Sequence, residues 1–87
     1  MKFKKKVYVG LSVDIIHEGH INILRTASKY GDVIVGLLTD EAISSYKNIP
    51  YLNYSRRKII VQNIKYVKKV IPQTKLSYVA NLNLIKP

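Results

Sequence analysis

The chain has 87 residues, 47% of them hydrophobic and 23% charged, which is enough for one small domain and too apolar for wholesale disorder. It contains no cysteine, which excludes a disulfide framework and a thiolate metal site and fits a reducing cytoplasm. Fifteen Lys and Arg against five Asp and Glu give a formal charge of +10, so any polyanion is attracted, yet four of the lysines crowd into the first six residues. A generic lysine-rich surface is therefore favoured over a dedicated nucleic-acid face, and nucleic acid is an unlikely partner. The basic N-terminal stretch and the short run interrupted by Gly10, Ser12 and Asp14 are neither a signal segment nor a membrane span.

In chain order, residues 6–11 and 33–38 are near-continuous apolar runs rich in β-branched side chains, the pattern of parallel strands covered on both faces. Between them, His20, Ile23, Leu24, Ala27 and Tyr30 recur at helical spacing over residues 20–30, with Gly31 as the stop signal. Thr39 and Asp40 end the second strand and are placed to cap a short helix over 41–46. A loop over 47–53 contains Pro50, and a third helix is expected from Tyr54 to about Tyr66, with Ile60, Asn63, Ile64 and Val67 on one stripe. Val70 and Ile71 form a short third strand ended by Pro72, and a weak helix is expected over 75–85. The alternation predicts an α/β fold, a Rossmann-like open parallel sheet with flanking helices, as one domain over 1–87. In the usual doubly wound order the first strand lies mid-sheet, flanked by strands later in the chain. The expectation is therefore the N-terminal portion of a larger domain, a swapped dimer, or a chain poorly stable alone.

His17, Glu18, Gly19 and His20 form an H-x-G-H tetrapeptide between the first strand and first helix. Two imidazoles beside a helix N-terminus, where unpaired N–H groups already favour anions, make a donor-rich site for phosphate charge. Gly19 allows close approach of backbone and ligand. Taken alone, His20 also fits a core position beside Ile23, Leu24 and Ala27; the pairing favours the donor role. A shared zinc ion would need three or four protein ligands, and nothing else supplies a convincing set.

Together with Val7 to Ser12, Asp14, residues 35–40, Ala42-Ile43, Ser45-Tyr46-Lys47, the Arg56-Arg57-Lys58 helix start and Val70-Ile71-Pro72-Gln73, this loop resembles the cytidylyltransferase branch of the nucleotidyltransferase superfamily. It is similar to the N-terminal two-thirds of glycerol-3-phosphate cytidylyltransferases and to the nucleotidyltransferase domain fused to phosphoenolpyruvate mutase. The resemblance implies transfer of CMP from CTP, with Mg²⁺, to a small phosphate- or phosphonate-bearing acceptor, pyrophosphate leaving and no covalent enzyme intermediate forming. Homodimers are common in that family, and no membrane partner is implied.

Residue by residue, the resemblance makes His17 and His20 donors to the triphosphate, Lys47 a point cation over its outer phosphates, and Arg57 a planar fork for phosphate. Leu11, Ser12, Asp14, Gly19 and Asp40 would line the nucleotide site. The family commonly reads Gly-Thr-Phe-Asp where this chain reads Leu11-Ser12-Val13-Asp14, so Ser12 keeps a hydroxyl donor while the glycine moves one place earlier. Asp14 also fits a turn role, Asp40 simple helix capping, and Lys47 a solvated loop. Because the family pattern continues past Pro87, little turnover is expected of residues 1–87 alone. The rivals are an adenylyltransferase of the same superfamily and a noncatalytic basic nucleotide- or nucleic-acid-binding module.

Overall fold

The β-branched runs and the helical stripe between them set up one strand–helix–strand unit, and the rest of the chain repeats that unit once. The computed structural model describes residues 5–12, 16–44 and 52–75. Its elements are β1 (Lys6–Leu11), α1 (Glu18–Ser28), β2 (Asp32–Leu38), α2 (Asp40–Ser44), α3 (Tyr54–Gln62) and β3 (Val67–Gln73). The helix expected over 75–85 lies, beyond Lys75, outside the described residues.

The three strands form one parallel sheet in the order β1-β2-β3, paired from Lys6↔Asp32 to Leu11↔Leu37 on one side of β2 and ending at Leu38↔Gln73 on the other. Every residue of β2 after Asp32 is buried, as befits a central strand with a near-continuous apolar sequence. Because side chains alternate along a strand, Val33, Val35 and Leu37 share one face, where they pack with Leu24 of α1 and Val61 of α3. Leu38 joins Ala42 and Ile43 of α2 in a second cluster. Among the described residues β1 has β2 as its one strand partner.

Three expectations are corrected. First, α1 ends at Ser28, where the N–H groups of Lys29 and Tyr30 bond the carbonyls of Thr26 and Ala27, so Tyr30 leaves the apolar stripe and is 70% exposed. Second, α3 stops at Gln62 instead of reaching Tyr66, because Asn63 turns its amide back onto the carbonyl of Ile59 (2.7 Å) and a tight turn from Ile64 to Val67 follows. Its buried face is Arg57 and Val61, one turn apart, while Ile60 stays largely outside. Third, β3 is longer than Val70 and Ile71. It starts at Val67, takes up a register shift opposite Val33 and Ile34, and runs through Pro72, with Thr39 N–H bonding Gln73 O at 3.1 Å. A proline is tolerated there because β3 forms an edge of the described sheet.

On the face opposite α1 and α3, the Tyr8 hydroxyl crosses the sheet to donate to Gln73 Oε1 at 2.5 Å. Gln73 is 4% exposed and gives its Nε2 to the Lys75 carbonyl. The hydroxyl passes over Gly36, whose missing side chain makes the space: a Cβ there would collide with Tyr8 Oη and crowd Gln73 Oε1. Gly36→Ala is thus expected to lower unfolding free energy by about 3 kcal/mol, the upper part of the usual cost of overpacking, as read from urea denaturation midpoints.

Candidate functional site

The carboxyl ends of all three strands point to the same end of the sheet, where the first turns of α1, α2 and α3 also begin. In open parallel sheets this is where ligands bind. At the end of β1, His17 is the N-cap of α1, in extended backbone conformation, and its Nδ1 accepts the N–H of Gly19 at 3.0 Å. His20 reaches back so that its own Nδ1 accepts the N–H of His17 at 3.1 Å. The pair forms a capping box, with histidines where serine or threonine and glutamate normally stand. Their ring centroids lie 4.2 Å apart at 41°.

This geometry fixes the chemistry of both rings. A nitrogen that accepts a hydrogen bond carries no proton, so each neutral imidazole holds its proton on Nε2 and presents that N–H as a donor. Partial burial, reinforced by His17, holds the His20 pKa below its usual value and so favours the neutral ring. Two neutral donors, set on the positive end of a helix, suit a phosphate whose charge grows during reaction. Gly19 gains a different explanation from close approach of ligand. The His17 ring folds back over it, and a Cβ would stand 2.7 Å from His17 Cε1, so the glycine makes room for the cap itself.

At the ends of β1 and β2 the organising group is Arg57, 0% exposed. Its Nη1 donates to Ser12 O and Leu38 O, both at 2.7 Å, Nε donates to Leu52 O at 3.0 Å, and Nη2 donates to Asp40 Oδ1 at 2.7 Å. The guanidinium on which a phosphate contact was expected is therefore enclosed by protein acceptors. Asp40 spends its other oxygen on the N–H of Tyr54, the first residue of α3, at 3.3 Å. Of the two residues placed to cap α2, Thr39 does so, its Oγ1 accepting from Ala42 N at 3.2 Å, while the Asp40 carboxylate serves Arg57 and α3. Asn53 caps α3 by accepting from Arg56 N at 3.0 Å.

Of the remaining candidates, Ser12 is half-buried with its carbonyl held by Arg57, and Leu11, paired with Leu37 in the sheet, packs its side chain against the main core. Asp14 and Lys47 lie outside the described residues. The structure thus groups His17, Gly19 and His20 on one helix start, and Ser12, Asp40 and Arg57 on one hydrogen-bonded unit. Sequence reasoning missed the histidine cap, although the spacing of His17 and His20 is that of a capping box. It also gave no role to Gln73 or Tyr8. Two concavities of about 290 and 320 Å³, lined by Lys5, Lys29, Lys65 and Lys68 among others, contain none of these residues.

Open parallel strands, paired donors at a helix start and a buried tie between strand ends define an α/β domain of the nucleotidyltransferase type. Residues 8–85 match the family model described as cytidylyltransferase-like, and the chain belongs to that family. It is 39% identical over 70 residues to the glycerol-3-phosphate cytidylyltransferase of Bacillus subtilis, covering 79% of this chain and 54% of that one. It is 32% identical over 81 residues to the phosphopantetheine adenylyltransferase of Pyrobaculum aerophilum, covering 91% of this chain and 51% of that one. The chain therefore spans about half the length of these curated relatives. In fold it is similar to a lipopolysaccharide core biosynthesis protein from Thermoplasma volcanium, with a TM-score of 0.90, 23% identity, and coverage of 98% of this chain and 70% of that one.

The depressed His20 pKa makes stability depend on pH. The folded protein binds the His20 proton less readily than the unfolded chain does, so this contribution is complete above the ordinary histidine value of 6.5 and declines as pH falls from there through the folded-state pKa. Urea midpoints are expected to drop between pH 7.5 and pH 5, and His20→Asn should flatten that slope. Gly19→Ala should displace the His17 ring and cost about 1 kcal/mol, the usual worth of an N-cap.

Proposed function

We propose that the protein carrying this chain transfers CMP from CTP to a small acceptor bearing a phosphate or phosphonate, releasing pyrophosphate. The observation that carries this reading is the pair of neutral Nε2–H donors fixed at the start of α1, in a chain of the cytidylyltransferase-like family. Relatives named for transfer to glycerol 3-phosphate and to phosphopantetheine support a phosphate monoester as acceptor.

In this mechanism an acceptor oxygen forms a bond to the α-phosphorus of the nucleotide while the bond from that phosphorus to the bridging oxygen breaks, and pyrophosphate leaves with the electron pair. No protein nucleophile is required, so the work is positioning and stabilisation of charge. His17 and His20 donate from Nε2 to phosphate oxygens. Being neutral, they strengthen these bonds as charge develops without drawing on a salt bridge that the ground state already makes. The helix N-terminus adds its own field. Mg²⁺, bound as part of the nucleotide substrate, would neutralise phosphate charge. Lys47 would complete the charge balance over the outer phosphates.

A second reading, AMP transfer from ATP, is favoured by the adenylyltransferase relative, and the phosphate-directed donors serve either nucleotide. Pyrophosphate release is the test, run with CTP or ATP against glycerol 3-phosphate, ethanolamine phosphate and a small alkylphosphonate. CTP-dependent release supports the proposal, strict ATP use moves it to the second reading, and release with neither sinks both. His17→Ala is expected to lower the rate at least about 100-fold, the loss typical when a donor to transition-state charge is removed. A loss below about threefold would remove His17 from the mechanism.

A further inference from the structure

Four acceptors converge on one buried side chain at the mouth of the site, and they come from distant parts of the chain. Ser12 O lies just past β1, Leu38 O at the end of β2, Leu52 O before α3, and Asp40 Oδ1 at the start of α2. Each strand end brings carbonyls that have no further ladder partner in their own strand, and buried carbonyls left without donors are costly. A planar guanidinium serves several acceptors in fixed directions, as a flexible ammonium does not. Asp40 adds a second link, since the carboxylate that holds Nη2 also accepts the first N–H of α3.

We propose that Arg57 is a positioning residue for the transfer reaction: through Ser12 O, Leu38 O and Asp40 it ties the chain leaving β1, ahead of the His17–His20 motif in sequence, to the end of β2 and to the start of α3, and so places the His17 and His20 donors without touching the nucleotide. This rests on the nucleotidyl-transfer reading above. Complete enclosure argues against direct contact with a triphosphate, because the side chain is 0% exposed and its four hydrogen bonds all go to protein oxygens. The bond to Ser12 spans 45 positions of sequence, so it is a tertiary tie between the chain leaving β1 and the second helix of the β2–β3 crossover.

The test is Arg57→Lys, which keeps the charge and loses the fork, read by steady-state kinetics and by amide hydrogen exchange. The expected result is a fall in kcat of at least about tenfold with KM for CTP within about threefold, since misplaced donors weaken the transition state more than the ground state. Exchange should rise locally in the first turn of α1 and at Tyr54, with the β2 core still protected. A raised KM at unchanged kcat would overturn the proposal in favour of direct phosphate binding. Uniformly faster exchange with kcat and KM unchanged would overturn it in favour of a general role in holding the fold. Should Arg57→Lys not fold, Asp40→Asn leaves the guanidinium in place and loosens one of its four ties; the same kcat loss and the same local exchange are expected, and their absence overturns the proposal. Wild-type protein inactive with both CTP and ATP would defeat the functional reading, while the exchange measurement would still report whether Arg57 orders the loop.

Discussion

The interaction on which this end of the molecule depends is the buried guanidinium of Arg57. A parallel sheet sends all its strands out at one end, and every chain leaving that end carries carbonyls in need of donors. In this protein the carbonyls of Ser12, Leu38 and Leu52 and one oxygen of Asp40 meet at a single cation. Helix α3 delivers that cation from its first turn, with Val61 one turn later locking the same helix face into the core. Packing and polar satisfaction are thus joined: the helix cannot shift on the sheet without breaking the bonds that organise the loops above it. Tyr54, on the same turn, flanks the guanidinium with its ring at 5.8 Å.

The histidine pair solves a separate problem at the neighbouring helix. The first N–H groups of a helix need acceptors, and most chains supply a short oxygen-bearing side chain. Here imidazole nitrogens do it, so one act of local folding caps α1, selects the tautomer of both rings and aims the remaining N–H of each as a donor. The cap is also what demands glycine at the third place of the motif. Stability therefore rests on Nδ1, and proposed catalysis on Nε2, of the same two rings.

The parts of this architecture legible in the sequence are those governed by local pattern. The first two strands stand where the apolar runs are, and the nucleotidyltransferase-type fold and family follow from motifs within short windows. The third strand is longer at its start, and the third helix shorter at its end, than the pattern indicates, because Ile64 and Val67 continue a helical spacing that Asn63 interrupts by bonding backwards. Arg57 was legible as a residue of the site, yet its burial was not: its acceptors lie at positions 12, 38, 40 and 52, and only the folded chain brings them together. Asp40 was read as a cap for its own helix and instead serves the next one, for the same reason.

The cross-sheet contact of Tyr8, Gly36 and Gln73 places one residue from each strand in a single shared volume. Tyr8 requires the bare glycine beneath its hydroxyl, and Gln73 Oε1 accepts the hydrogen bond that this hydroxyl donates. The three positions therefore form one evolutionary unit. A lineage that enlarges residue 36 has to shorten residue 8, and residue 73 then loses one of its hydrogen bonds. Divergence across the family at these sites should consequently be correlated, not independent.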